Sequence, residues 1–384
     1  MSPPIRLALV GCGRISGTHF GAIRDVDELE LVAVCDSVEE RARTAGEEND
    51  VPWFTAYPRM LEDVACDAVA ICTPSGLHPQ HGIMAARAGK HVVCEKPMAI
   101  TLADCDAMIA AARAAGVKLL LGQSKISQAP VRKMREVIAG GEIGDVVQIS
   151  SWNFNDWLQR PRLSFEVDTT RGGGICYRQA PHHVDIVRRL MGRPAESVRA
   201  TVNRADPGFA TEGNYSALVQ FQGGVAASLV YNAYGYFDIS ELTWNIGEGG
   251  DIRTPIAERT PRPRLTGPID AEVRYGSGRR LDRGDRGRAQ PFYGLTIVSC
   301  TKGVIRQSPE GLYIYDAGGR REVACDTDSS ILRDIAELAA SLDEKRAPHP
   351  DGHWGRATVE VCLAMLESAR TGREIALRHQ SPAP

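Results

Sequence analysis

Long apolar runs are what this 384-residue chain most plainly lacks. The first, Ile5 to Val10, is far short of the roughly 20 residues that cross a bilayer, and Met1-Ser2-Pro3-Pro4 ahead of it has none of the layout of a secretory leader. A cytoplasmic protein without a membrane partner is therefore expected. Excess charge of either sign is missing too: 45 Lys and Arg against 48 Asp and Glu leave a net charge of -3. No global positive field exists to draw a phosphate backbone, so nucleic acid is not an expected partner. Cys-x-x-Cys pairs and zinc-type Cys/His spacings are also absent. The ten cysteines are scattered, several of them (Cys35, Cys72, Cys94, Cys362) inside apolar stretches, which suits buried thiols in a reducing compartment. No metal is expected, since His78 and His81 stand a helical turn apart with no evident third ligand. Internal repeats and low-complexity segments are not found.

What is present points to two folded domains. Hydrophobic residues make up 43% and charged residues 24%, close to an average globular protein, and the length exceeds one ordinary core. From residue 5 to about 122, short apolar runs alternate with Ala-rich amphipathic stretches, the pattern of a parallel sheet covered by helices. Strands are expected at Ile5–Val10, Leu29–Cys35, Ala68–Ile71, His91–Cys94 and Val117–Leu121. Helices are expected at Ser16–Asp25, Val38–Glu48, His78–Arg87 and Leu102–Ala115, the last two closed by Gly89 and Gly116. Five strands in this order make a doubly wound α/β domain over residues 1–122. Residues 123–384 read as a second α/β domain with a large, open, mostly antiparallel sheet. Its helices are placed at Pro130–Ala139 and His183–Met191. Its strands are placed at Val146–Phe154, Ser197–Asn203, Ser216–Gln222, Ala226–Asn232, Leu242–Ile246 and Gly294–Cys300, with late helices at Ile331–Glu344 and Gly355–Arg370. Residues 251–290, rich in Arg, Asp, Gly and Pro, read as a long solvated connection, with a lid over substrate as the lesser reading.

The first strand runs into Gly11-Cys12-Gly13-Arg14-Ile15-Ser16, a dinucleotide fingerprint with Ser16 at the third glycine position. Gly11 allows the tight turn, and Gly13 lets the backbone approach a pyrophosphate at the positive end of the next helix. Such a match is weak alone and gains force from the strand before it and the helix after it. Asp36 closes the second strand where an acid would accept hydrogen bonds from a ribose hydroxyl and repel a 2'-phosphate. NAD is accordingly favoured over NADP, although Arg41 and Arg43 follow within two turns. The loops Thr73-Pro74-Ser75 and Glu95-Lys96-Pro97 leave the carboxyl ends of strands, the edge that binds ligand in doubly wound sheets.

Together these segments resemble the glucose-fructose oxidoreductase / inositol dehydrogenase / rhizopine catabolism (Gfo/Idh/MocA) family. The resemblance rests on Gly11 to Ser16, on Thr73-Pro74-Ser75 with His78, on Ala88 to Pro97, and on Gly172-Gly173-Gly174 followed by His182 and Asp185. It implies an NAD(P)-dependent dehydrogenase with a Rossmann domain and a second domain whose open sheet often forms the oligomer interface. Gly11, Gly13, Arg14, Ile15, Asp36, Thr73, Pro74, His78, Glu95 and Lys96 would then hold the cofactor, and Lys96 and His182 would be the catalytic pair. Four residues before that histidine the family commonly has Asp, and this chain has Arg178; sugar dehydrogenases of the family generally keep the acid. A closer likeness, to the phthalate cis-4,5-dihydrodiol dehydrogenase branch, is carried by Arg160-Pro161-Arg162, Asp168 to Gly174, Gln179, Thr211-Glu212-Gly213 and Tyr234 to Asp238.

Oxidising a secondary alcohol needs a group that takes the hydroxyl proton near neutral pH, which suits His182, with Asp185 or His183 able to orient it. Lys96 supplies either a positive charge for the developing alkoxide or, if its pKa is lowered, the base itself. Arg160, Arg162, Arg171 and Arg178, with Gln179 and Asp185, are the expected substrate contacts, and arginine forks suit a carboxylate. The alternative for these arginines is ion pairing to Glu166 and Asp168. Trp152 and Trp157 read as core filling ahead of ring stacking. The expected substrate is an anionic small molecule, and the expected assembly a homo-oligomer, dimer or tetramer. A sugar or cyclitol dehydrogenase and a non-catalytic dinucleotide sensor or scaffold are the competing readings.

Overall fold

The computed structural model describes residues 3–122, 125–259, 263–269, 289–326 and 330–382. They divide into two units, residues 3–122 with 330–359, and residues 125–269 with 289–326 and 360–382.

In the first unit, β1 (Ile5–Val10), α1 (Ser16–Arg24), β2 (Leu29–Cys35), α2 (Glu39–Asn49), β3 (Trp53–Phe54) and α3 (Tyr57–Asp63) form one half. The other half is β4 (Ala68–Ile71), α4 (His78–Arg87), β5 (His91–Glu95), α5 (Leu102–Ala115) and β6 (Leu119–Gly122). All six strands pair in parallel in the order β3-β2-β1-β4-β5-β6. Leu7, Leu9, Val69 and Ile71 on the central strands have no exposed surface, as expected of strands covered on both faces. Thr101 caps α5 by accepting the Asp104 N–H at 3.1 Å. Gly116 ends that helix at φ 67, and Gly89 follows α4 at φ 72. One correction concerns strand number: the sheet has six strands, not five. The extra strand, β3, is two residues long at the sheet edge, too short to show alternation.

The second unit holds α6 (Ala129–Ala139), β7 (Val146–Phe154), α7 (Gly174–Arg178), α8 (Ala180–Met191), β8 (Ala195–Asn203), β9 (Asn214–Phe221) and β10 (Val225–Asn232). It continues with β11 (Leu295–Cys300), β12 (Gly303–Gln307), β13 (Gly311–Asp316), β14 (Gly319–Ala324) and β15 (Ile375–Ala376). Nine strands run in the order β14-β13-β12-β11-β7-β10-β9-β8-β15. Every neighbouring pair is antiparallel except β7 with β10. Strand β9 shows why one face is covered: Tyr215, Ala217, Val219 and Phe221 are buried while Ser216, Leu218 and Gln220 are exposed. The inward side chains join Val184, Val187 and Leu190 of α8 and Met134 of α6 in one core.

Two further sequence expectations need correcting here. Leu242–Ile246 is not a strand: a short helical turn at Ile239–Leu242 leads into Trp244 and Asn245, both at positive φ (54 and 59), which no extended strand accommodates. The hairpins β12 to β14 were not expected, because their strands are short, broken by glycines, and in β14 carry charge on both faces. Residues 251–290 lie partly outside the described residues. Within the described part, Arg253 and Arg259 both bind Asp238 (2.9 and 2.8 Å).

After the second unit's last hairpin the chain rejoins the first unit. Helix α9 (Ser330–Asp343) buries Ile335 and Leu338 in the same core as Phe20 and Ile23 of α1. The Pro350 carbonyl then accepts the Leu121 N–H at 2.9 Å, covering part of the open edge of β6. Helix α10 (Gly352–Thr371) follows.

Two glycines of like φ separate crowding from backbone strain. A Cβ on Gly174 (φ 83) would lie 2.0 Å from Thr211 Oγ1, whereas one on Gly116 (φ 67) would meet nothing within 4 Å. Gly116→Ala should cost about 1 kcal/mol through φ alone, and Gly174→Ala more than about 3 kcal/mol. Urea denaturation of the two variants beside the parent measures the gap.

Candidate active site

In the first unit the sheet order reverses between β1 and β4, and the loops that follow diverge from there. Gly11 stands at that point with φ 98, and an added Cβ would lie 2.6 Å from the Cys72 carbonyl carbon. Its N–H donates to the Cys35 carbonyl at 2.8 Å. A Cβ on Gly13 would meet nothing within 4 Å, so the turn is open where a pyrophosphate would approach. Ser16, 1% exposed, turns its hydroxyl back to donate to the Gly13 carbonyl at 2.6 Å. That bond satisfies the hydroxyl that replaces the third glycine. Arg14 is exposed at the tip, and Ile15 packs on the core below. Asp36 is 7% exposed; one oxygen accepts the Cys12 N–H (2.9 Å) and the other the Val38 N–H (2.9 Å) and the Arg41 guanidinium (3.0 Å). The acid is thus fixed at the end of β2, and the residues present fit a dinucleotide.

The next two loops are joined through histidines. His78, 1% exposed, faces the Thr73 carbonyl at 2.8 Å and the Pro97 carbonyl at 2.9 Å. Thr73 Oγ1 meets His81 Nδ1 at 3.1 Å, and Pro74 is exposed. Glu95 Oε1 pairs with His19 Nε2 at 2.8 Å, and Oε2 accepts the Lys96 N–H at 3.2 Å. The Lys96–Pro97 bond is cis. Burial pushes the Glu95 carboxyl up, but the His19 hydrogen bond and charge, then Lys96 and His78, outweigh it and leave it below the usual range. Burial likewise works against a charged His19, yet the Cys72 sulfur and Glu95 hold it well above the ordinary histidine value. Among the described residues, no three His, Cys, Asp or Glu side chains gather as metal ligands.

The glycine run 172–174 of the second unit meets Thr211-Glu212. Glu212 accepts the Cys176 N–H at 2.9 Å and the Thr169 hydroxyl at 2.5 Å, which locks the turn that starts α7. Past it, His182 is 8% exposed and lies edge-on to Tyr293, ring centres 5.3 Å apart. Tyr293 donates to the Gln179 carbonyl at 2.8 Å, and Lys125 Nζ lies 5.6 Å from its ring centre. Lys125 also donates to the Glu248 carbonyl (2.9 Å), while the Glu248 carboxylate accepts from Asn153 and Asn155 at 3.2 and 3.1 Å. Burial opposes the charge on Glu248, and Lys125, Arg160 and Arg253 overcome it, keeping the carboxyl below its ordinary value.

The residues expected to steer His182 also make contacts of their own. His183 is fully buried, with Nδ1 2.9 Å from the Tyr215 hydroxyl and Nε2 2.7 Å from Ser151 Oγ. Asp185 pairs with Arg188 at 3.6 Å. The arginines do not form one group. Arg160 binds Asp156 at 2.7 Å, whereas Arg162 and Arg178 share Glu166 at 3.7 and 3.3 Å. Arg162 also stacks on Trp157, which is core at 2% exposure. Arg171 is exposed at the end of a short helical turn. Lys96 belongs to the first unit and His182 to the second.

Residues 5–123 match the family model described as an oxidoreductase family with an NAD-binding Rossmann fold, and residues 131–253 match the GFO/IDH/MocA C-terminal domain. A relative from Comamonas testosteroni, 1-carboxy-3-chloro-3,4-dihydroxycyclohexa-1,5-diene dehydrogenase, is 32% identical over 382 residues, 95% of each chain. The chain is a Gfo/Idh/MocA-family oxidoreductase. Its likeness extends to a crystal structure from Bordetella bronchiseptica RB50 of a protein assigned as a dehydrogenase, with TM-score 0.89 and 34% identity over 97% of this chain and 100% of that one. A myo-inositol 2-dehydrogenase of Thermotoga maritima is 33% identical over 199 residues, 51% of this chain and 58% of the relative. This chain is therefore an NAD-dependent oxidoreductase acting on small molecules, and its first unit is the NAD-binding part.

His19, Lys125, Tyr293 and Glu248 escaped the sequence reading. His19 looks like one polar residue on an apolar helix face. The others lie outside any motif and meet only through the fold of the second unit.

The contrast between His183 and its surroundings sets a pH window for stability. Burial lowers the native pKa of His183 to about 3, and its hydroxyl partners suit a neutral ring. The unfolded chain takes up a proton below about 6.5 that the native chain refuses. Stability is full above that pH and falls as the pH drops toward about 3. Urea melts across this range should show a shallower acid limb in His183→Asn than in the parent.

Proposed function

We propose that the substrate is a carboxylated cyclic dihydrodiol, oxidised at one carbinol with Lys96 and His182 as the catalytic groups. The observation that carries the substrate choice is Arg178. It brings a guanidinium, anchored by Glu166 at 3.3 Å, to the position four residues before His182 where sugar-oxidising members generally hold an acid. A guanidinium fork can keep one carboxylate as its anchor and present its remaining N–H groups to another. The full-length likeness to a dehydrogenase of a carboxylated dihydroxycyclohexadiene supports the same choice.

Bound NAD supplies the hydride acceptor. Lys96 stabilises negative charge on the carbinol oxygen, and His182 takes the hydroxyl proton, which an imidazole does readily near neutral pH. Arg162, Arg171, Arg178, Gln179 and Asp185 remain the proposed substrate contacts, and Arg160 a more distant one, since Asp156 already holds it. Residues 1–122 joined by the returning segment 330–359, rather than 1–122 alone, serve as the cofactor domain, and the rest of 123–384 supplies substrate binding and oligomerisation.

A homo-oligomer, dimer or tetramer, fits the uncovered sheet face, on which Trp152 (39%) and Leu218 (43%) are exposed. A cytoplasmic setting fits the ten free cysteines.

Steady-state assays with NAD, offering carboxylated cis-diols beside inositols and neutral sugars, test the reading. The diol should be preferred by about 10-fold or more in kcat/KM, and Arg178→Asp should erode that preference. Lys96→Ala and His182→Ala should each lower kcat by about 10²- to 10⁴-fold. A preference for cyclitols would favour the inositol-oxidising alternative, and full turnover in both alanine variants would overturn the catalytic assignment.

A further inference from the structure

Lys96 does not stand alone at the end of β5. Glu95 before it carries two bonds at once: Oε1 to His19 Nε2 of α1 at 2.8 Å, and Oε2 from the Lys96 backbone N–H at 3.2 Å. After it, the Pro97 carbonyl faces His78 Nδ1 of α4 at 2.9 Å, and the other nitrogen of that ring faces the Thr73 carbonyl at 2.8 Å. A carbonyl only accepts, and a neutral imidazole has one N–H, so both contacts are hydrogen bonds only when His78 is protonated. His183 is the useful contrast, since its two hydroxyl partners can each donate or accept. Two buried histidines on different helices therefore grip the residues on either side of Lys96.

We propose that Glu95, His19 and His78 form a positioning cluster that fixes the Lys96 backbone and sets the charge its side chain carries. This rests on the reading of Lys96 as a catalytic group. Glu95 is the hub: its carboxylate interacts with His19, Lys96 and His78. The other titratable neighbours are His81 of α4, its pKa lowered by burial and by the charge of His78, and two thiols, Cys94 beside it on β5 and Cys72 beyond β4 next to His19. Burial raises Cys94 well above the ordinary thiol value, and Glu95 raises it further, so its sulfur stays neutral. The Glu95 carboxylate favours the protonated form of His19, Lys96 and His78, at His19 together with the Cys72 sulfur. Removing that charge while keeping the shape lowers the pKa of the lysine and shifts its position.

The test is Glu95→Gln, with His19→Gln and His78→Gln beside it, in the intact protein. Glu95→Gln should lower kcat by on the order of 10²-fold through misplacement of the reacting group. It should also move the Lys96-dependent limb of the kcat/KM pH profile to lower pH. His19→Gln removes a positive charge on the other side of Glu95 and should move that limb the opposite way, to higher pH, by less. Lost turnover with an unmoved limb would mark the cluster as structural support only and overturn the proposal. Lys96→Ala in the same assay separates the two layers: full turnover there overturns the catalytic reading itself, not the cluster alone. A readout independent of activity is nitrogen NMR of histidine-labelled protein at pH 8. His78 should show two protonated ring nitrogens, and a neutral His78 would refute the bracket.

Discussion

Two parallel strands cannot lie side by side and send their following segments to opposite faces of a sheet unless something gives at the point of divergence. Between β1 and β4 what gives is Gly11. Its positive φ turns the chain out of β1, and its missing side chain leaves room for the Cys72 carbonyl that closes β4. The rest of the first unit's chemistry follows from that clearance. The open turn around Gly13, the fixed Asp36 carboxylate and the histidine-bound loops after β4 and β5 all line the same sheet edge because their strands are parallel. Burial adds a second constraint. Polar groups this poorly solvated must find partners within the protein, and the pairs they form, His19 with Glu95 and His78 with two carbonyls, are also the ones that hold Lys96.

The second unit answers the same constraint with hydroxyls and amides. His183 is neutral among Tyr215 and Ser151, and Glu212 and Glu248 are satisfied by backbone N–H, threonine hydroxyl or asparagine amide groups. Three of the four arginines expected to crowd one substrate pocket are divided among Asp156 and Glu166. Arg178, the departure from the common family pattern, is matched locally by Glu166, so the substitution comes with an anchor of its own.

Legibility in the sequence tracked locality. The strands β1, β2 and β4 were readable because unbroken apolar runs are what a doubly covered parallel strand requires, and Gly89 and Gly116 marked helix ends through backbone geometry. β3 and the hairpins from Gly303 to Ala324 were not, since two-residue strands and glycine-broken, charged strands carry no period. Leu242–Ile246 looked extended by composition and is a turn, because Asp238 accepts the Ser240 N–H (3.0 Å) and the backbone then enters positive φ. In the site, motif residues such as Asp36 and Glu95 could be named from spacing. Their partners could not: His19 is 76 residues from Glu95, and nothing in the local pattern of α1 announces a counter-ion so far away.

The return of α9 to the first unit has a consequence for biogenesis. Ile335 and Leu338 complete a core whose other members are mostly drawn from the first hundred or so residues. A nascent chain that has emerged only as far as β6 exposes that apolar patch until nearly the whole polypeptide has left the ribosome. The amino-terminal half then reaches its final packing late in synthesis, and a fragment cut before α9 keeps the dinucleotide fingerprint but presents a sticky helix face to its surroundings.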